Sequence, residues 1–269
     1  MPIEQIIVLA LVQGITEFLP ISSSGHLILV PVLTGWKDQG LITDVMVHMG
    51  SFLAVLVYFR RDVMQMIGGA LSLLGGRVTP AGRLALMLIV ATVPAVAFGL
   101  FSKFSGLQDA LRGPFIVAVN AVVFGLLMWL ADRLGRQTKA AEGLSTAQAL
   151  LIGAAQAVAI IPGVSRSGIT MSAGLLAGLS RVEAARFSFL LGIPAIAGAG
   201  LLVLGEAIGE GVVISTDAVA AGVLTFFVAL GAIAFLMKVI ARVGLTPFVL
   251  YRFALAAVLF GLMTAGVIG

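Results

Sequence analysis

Six long apolar runs dominate the chain, at about 41–59, 84–101, 114–131, 187–205, 218–237 and 247–267. Each approaches the ~20 residues that a helix rising 1.5 Å per residue needs to cross a hydrocarbon core. Four shorter apolar pieces, at about 3–19, 25–35, 146–161 and 168–179, fall into two pairs, each broken at its middle by Pro with Ser and Gly. Pieces too short to span, joined by a polar breaker, predict helical hairpins that enter and leave the membrane on one face. A pair of kinked spans is the alternative; the interrupted segments of transporter folds favour hairpins. The expectation is an all-α polytopic membrane protein forming one domain over residues 1–269.

The pattern also repeats. At an offset of 143 residues Gln13 falls on Gln156, Ser22 on Ser165, Ser24 on Ser167 and Gly25 on Gly168. Later, Pro114-Phe115 and Phe124-Gly125-Leu126 echo Pro247-Phe248 and Phe260-Gly261-Leu262 at slightly smaller offsets. Each half, 1–139 and 140–269, therefore reads as one re-entrant hairpin and three spans. Three crossings is an odd number, so the second half is expected upside down relative to the first. Inverted repeats of this kind place their site near the midplane, where broken segments meet.

Composition supports lipid as the solvent: the chain is 60% hydrophobic and 10% charged, against roughly 25% charged for soluble domains. A net charge of +4 raises the question of a nucleic-acid partner, but the basic residues sit in short loops and form no basic face. Arg60, Arg61, Arg77 and Arg83, then Arg133, Arg136 and Lys139, then Arg181 and Arg186, and finally Lys238 and Arg242 all fall on one side by counting crossings. The positive-inside rule makes that side cytoplasmic. Lys37, Lys103, Arg112, Glu206, Glu210 and Asp217 fall opposite. Both chain ends and the mouth of the first hairpin are then on the outer side. No cysteine is present, which removes disulfides and thiolate metal sites. The N-terminus lacks the features of a cleaved leader and is read as part of the mature protein.

The chemistry lies at the hairpin breaks. Ionisable groups at membrane depth are costly unless they pair, face water or bind something, which singles out Glu17, His26 and Arg166. Gln13 and Glu17, four apart, share a helical face and can bind a cation or orient a water. After Pro20, residues Ser22, Ser23 and Ser24 suit the N-cap of a half-helix starting near Gly25, and Ser165 to Gly168 do the same in the second half. Two helix N-termini meeting beside an arginine make an anion site that suits phosphate. His26 stands close enough to the caps to carry a proton. Asp44 and His48, four apart in one span, can line the cavity but are not tied to the anion site and are read as structural or supporting residues; the ten Met and sixteen Phe are read as lipid-facing packing.

Two motifs carry a full-length resemblance to the undecaprenyl pyrophosphate phosphatase family of the bacitracin-resistance type. One runs from Gln13 through Glu17 to Pro20-Ile21-Ser22-Ser23-Ser24-Gly25-His26, the other is Pro162-Gly163-Val164-Ser165-Arg166-Ser167-Gly168-Ile169-Thr170. The resemblance implies a bacterial inner-membrane, multi-pass hydrolase, open to the outer side, that removes the terminal phosphate of a C55 isoprenoid diphosphate and so recycles the cell-wall lipid carrier. It implies Glu17, Ser23, His26 and Arg166 as catalytic residues. Ser22, Ser24, Gly25, Gly163, Ser165, Ser167, Gly168 and Thr170 become the candidate phosphate-binding set. A divalent cation, magnesium or calcium, would sit near Glu17 and Gln13, where a neutral amide stands in place of the glutamate of many relatives. Expected partners are a polyprenyl diphosphate and membrane lipids, with no nucleic acid and with a homodimer allowed. The rival reading is a carrier or flippase of a phosphorylated polyprenyl lipid, which needs the clamp but not the nucleophile; a purely structural scaffold leaves the buried Arg and Glu unexplained.

Overall fold

The computed structural model describes residues 1–106, 111 and 113–268, and these are all-helical: eleven α-helices, a 3-10 turn at Ala141–Gly143, and no strand. Arg112, assigned above to the outer face, lies outside the described residues. The helices are α1 (Ile3–Thr16), α2 (Ser23–Thr34), α3 (Leu41–Tyr58), α4 (Arg60–Leu74), α5 (Pro80–Ser105), α6 (Pro114–Leu134), α7 (Thr146–Val158), α8 (Arg166–Leu176), α9 (Arg181–Gly209), α10 (Thr216–Val243) and α11 (Thr246–Thr264). Helices α3, α5, α6, α9, α10 and α11 are long and apolar enough to cross a membrane and correspond to the six expected runs. The four short pieces become α1, α2, α7 and α8.

Local chemistry sets the boundaries. Ser145 caps α7 through a reciprocal capping box with Gln148, and Ser180 and Ser215 cap α9 and α10 by accepting from the N–H of Glu183 and Ala218. Pro80 starts α5 at a position where a missing N–H costs nothing. The connection that carries Arg60, Arg61, Arg77 and Arg83, read above as a loop, departs from expectation, because residues 60–74 form a helix. Met64, Ile67, Leu71 and Leu74 recur at helical spacing and are all exposed, while Arg60, Arg61 and Asp62 gather at its start. That is an amphipathic strip, too polar to register as a continuous apolar run.

Packing exchanges partners between the halves. Arm α1 lies on α10 and arm α7 on α5; α3 packs on α10, and α9 on α5; α3 meets α9 and α6 meets α11. Arms α1, α7 and α8 thus touch spans from the other half, α8 through α6, whereas α2 lies on α6 of its own half. Beneath the first break, fully buried Phe18 meets Phe189 edge to face with ring centres 5.2 Å apart, and Phe59 meets Phe189 at 6.1 Å. This aromatic cluster fixes the chain immediately after Glu17. On the arginine-rich side Arg186 joins Asp62 at 2.6 Å, Glu142 at 2.9 Å and Glu183 at 3.1 Å, tying α4 and the 3-10 turn to α9.

Candidate active site

The two breaks adopt the same backbone solution. Ser22 has φ 78° and ψ 96°, and Ser165 has φ 74° and ψ 107°, a left-handed region that non-glycine residues rarely enter and that costs on the order of 1–3 kcal/mol. Each serine then caps its helix: Ser22 Oγ accepts from the Gly25 N–H at 3.4 Å, and Ser165 Oγ from the Gly168 N–H at 3.2 Å. The Ser22 and Ser24 hydroxyls are 3.4 Å apart, and so are those of Ser165 and Ser167. Gly163 enters the second tip at φ 87°, where an added Cβ would stand 2.8 Å from the Val117 Cα; only glycine fits that turn. The Ser167 hydroxyl donates to the Leu19 carbonyl at 3.2 Å, locking one tip to the other.

Glu17 lies where the tips meet. Its Oε1 accepts from Arg166 Nη2 at 2.9 Å, and its Oε2 accepts from Ser23 Oγ at 2.7 Å and from Gln13 Nε2 at 3.1 Å. The carboxylate is buried, yet one face reaches a cavity of about 370 Å³. Arg166 Nη1 donates to the Ser188 carbonyl of α9 at 3.1 Å. Its guanidinium presses onto α9 at Gly192, where a Cβ would be 2.5 Å from Nη1, so the helix is bare at the point the arginine needs. These bonds use two of the five guanidinium donors, and Arg166 lines the cavity, where a further donor can meet an anion.

Cavity walls come from Thr16, Glu17, Ser22, Ser23 and Ser24 at the first tip and Ala159, Ser165, Arg166 and Ser167 at the second. Leu41, Asp44, Val45 and His48 of α3 add a polar edge, and Ala195, Ile196, Ala199, Gly200 and Val203 of α9 an apolar flank. A charged head can sit among the serines and Arg166 while a chain runs along α9.

The expected residues separate into groups. Glu17, Ser22, Ser23, Ser24, Ser165, Arg166 and Ser167 are brought together on the cavity. Gly25, Gly163 and Gly168 shape the tips without lining it. Thr170 lies behind: its hydroxyl donates to the Arg166 carbonyl at 2.7 Å and meets the Ser188 hydroxyl at 2.7 Å, so it braces the arginine and does not face the cavity. His26 is turned away as well, with Nδ1 2.7 Å from the Ser22 carbonyl and Nε2 2.7 Å from the Tyr251 hydroxyl. Neither ring nitrogen reaches Ser23. His48, read from sequence as a residue able to line the cavity but not tied to the anion site, does line it, and its Nε2 is 3.7 Å from Glu17 Oε2. Gln13 is fully buried, and its Oε1 has no partner. Sequence reasoning passed over Ser188, Gly192, Tyr251 and Arg252; an arginine inside the last apolar run was the one available signal.

Six helices long and apolar enough to span, two capped helix starts on one cavity and a serine hydroxyl bonded to a buried carboxylate beside an arginine define a class: polytopic membrane proteins with a polar, arginine-bearing pocket between two helix starts. Residues 6–258 match the family described as bacitracin resistance protein BacA, and the chain belongs to that family. It is 51% identical over 261 residues to the undecaprenyl-diphosphatase of Maricaulis maris, covering 94% of this chain and 96% of the relative. It is 45% identical to the protein of that name from Erythrobacter litoralis, covering 95% and 97%, and 46% identical to that of Ruegeria pomeroyi, covering 97% and 99%.

Proposed function

We propose that the chain is an undecaprenyl-diphosphate phosphatase, hydrolysing a polyprenyl diphosphate to the monophosphate and inorganic phosphate. The observation that carries this reading is the Ser23 hydroxyl, 2.7 Å from a Glu17 carboxylate that also holds Arg166 at 2.9 Å on the cavity wall. Nucleophile, base and anion clamp are then adjacent, whereas a carrier needs only the clamp.

Arg166 and the two helix N-termini hold the diphosphate and neutralise charge as it develops. Ser23 Oγ attacks the terminal phosphorus while its proton passes to Glu17 Oε2. The bond from that phosphorus to the bridging oxygen breaks, and the prenyl monophosphate leaves. Water then attacks the phosphoserine phosphorus, the bond from phosphorus to Ser23 Oγ breaks, Glu17 returns its proton to Oγ, and phosphate departs with the water's oxygen and protons. The prenyl tail runs along the apolar flank of α9 into lipid.

A divalent cation, magnesium or calcium, fits beside Glu17. Gln13 turns its Nε2 to Glu17 and has in Oε1 a buried acceptor without a partner among the described residues, and magnesium is commonly held by one or two carboxylates with substrate phosphates completing its shell. Among the described residues no group of three His, Cys, Asp or Glu could hold a metal ion, so the substrate would contribute ligands. When bound, the ion supplies positive charge to the diphosphate.

The same reading includes two re-entrant hairpins in an inverted repeat, with halves 1–139 and 140–269, in the bacterial inner membrane. It is supported by the matched φ and ψ of Ser22 and Ser165, the exchange of packing partners, and cavity residues drawn from the halves of α3 and α9 remote from the arginine-rich connections. The deciding experiment is phosphate release from undecaprenyl diphosphate by the detergent-purified protein, where transport is not scored. Wild type should release phosphate, and Ser23→Ala and Arg166→Ala should not. A fully active Ser23→Ala would sink the assignment.

A further inference from the structure

Behind the two tips stand adjacent residues of α11, Tyr251 and Arg252, neither of which lines the cavity. Arg252 is fully buried, and its four hydrogen bonds all end on backbone carbonyls: Ala121 at 3.3 Å, Asn120 at 2.8 Å, Gly163 at 2.8 Å and Val164 at 3.2 Å. Two of these acceptors, Gly163 and Val164, are the second tip itself. Asn120 adds its own grip, donating to the Pro162 carbonyl at 2.7 Å. A guanidinium buried among apolar spans, with no carboxylate partner among the described residues, is expensive, which calls for a physical role beyond packing.

Peptide planarity supplies that role. In a trans peptide the C=O and the following N–H point in opposite directions. With the Val164 carbonyl turned onto Arg252, the Ser165 N–H is directed away from α11; Ser165 lines the cavity. The first tip is held in an equivalent way through an intermediary. The Ser22 carbonyl can only accept, so His26 Nδ1 carries the hydrogen in that 2.7 Å contact, and Nε2 of the neutral ring accepts from the Tyr251 hydroxyl at 2.7 Å. The two rings stack, with centres 5.7 Å apart and planes 19° from parallel. Holding the Ser22 carbonyl directs the Ser23 N–H away from His26, and Ser23 also lines the cavity. Both N–H groups belong to helix starts, where donors have no partner within the helix.

We infer that Tyr251 and Arg252 are positioning residues: neighbouring side chains of one helix that orient both hairpin tips toward the anion, with His26 serving as the link from Tyr251 to the first tip. His26 is then a fixed donor, not a proton carrier. This deepens the phosphatase reading and rests on it.

The test uses the full-length protein in detergent and two measurements: phosphate release from undecaprenyl diphosphate across pH, and the rise in thermal midpoint caused by inorganic pyrophosphate. Tyr251→Phe, which removes one hydroxyl, is expected to lower kcat/KM on the order of 10- to 100-fold, the effect of slightly misplacing catalytic groups, and to shrink the pyrophosphate shift. His26→Gln should lose as much. His26→Asn places an amide N–H near the Nδ1 position and should recover a substantial part of that loss, with the pH profile parallel to wild type. The double variant Tyr251→Phe with His26→Gln should be no worse than either single one, because the two act as a unit. Arg252→Lys should also shrink the pyrophosphate shift; if it does not fold, the Tyr251 and His26 variants still decide. Wild-type behaviour of Tyr251→Phe in both measurements, additive losses, or a His26→Asn variant as inactive as His26→Gln with a limb missing from its pH profile would overturn the inference. A wild-type protein that releases no phosphate would overturn the phosphatase reading instead, and the pyrophosphate shift would still decide on the tips.

Discussion

Three donors from separate parts of the chain meet the Glu17 carboxylate: Gln13 from its own helix, Ser23 from across the first tip, and Arg166 from the second. Glu17 and Arg166 were legible in the sequence because charge at membrane depth demands a reason. Gly192 was not, since a glycine in an apolar span carries no signal until the guanidinium is seen lying on it. Gly192→Ala should therefore push Arg166 off Glu17 and Ser188 and reduce phosphate release on the order of 10- to 100-fold, while elution from a sizing column stays that of wild type. Unchanged turnover in that variant would mean the arginine tolerates displacement. Thr170 and His26 show the opposite error: their motif positions were read correctly, but their side chains point behind the tips. Motif spacing fixes where a residue stands along a half-helix, whereas the direction of its side chain depends on neighbours elsewhere in the chain.

Among the elements, the ten apolar helices were readable to within a few residues because length and hydrophobicity are properties of each segment alone. Helix α4 was missed for the converse reason. Its apolar residues occupy one strip, and its fold depends on lying against α5. Arg186 joins this helix to the body of the protein by binding Asp62, Glu142 and Glu183 together. Arg186→Ala leaves three acids without their shared cation and should lower stability by about 1–3 kcal/mol. The measurable sign is a lower thermal midpoint in detergent with the turnover at low temperature close to wild type; a collapse of turnover without a change in midpoint would instead connect this cluster to the active site.

For the whole molecule, the proposed orientation in the bilayer rests on the arginine-rich connections on one side, and the cavity draws on the opposite halves of α3 and α9. Because the chain has no cysteine, single introduced thiols report topology directly. In intact cells Leu41→Cys, exposed at the start of α3, should react with a membrane-impermeant thiol reagent, and Arg77→Cys only after permeabilisation. The reverse result would invert the proposed orientation. Removing divalent ions tests the other global expectation: chelator should depress phosphate release, added magnesium or calcium should restore it, and Gln13→Glu should retain activity at lower ion concentration. Full activity in chelator would remove the ion from the proposal.

By itself the sequence determined what can be computed one segment at a time: six spans, four half-helices, the duplicated serine breaks, and the buried acid and arginine that make the chain more than a scaffold. Tertiary structure decided which side chains meet. Glu17 and Arg166 are 149 residues apart, and the carbonyls held by Arg252 lie 88 to 132 residues from it. The reason is physical. Hydrophobicity and capping act over a few residues, but a buried polar group is satisfied by whatever donor or acceptor the packing brings within about 3 Å, and in this protein those partners are mostly backbone atoms whose identity no side-chain pattern records.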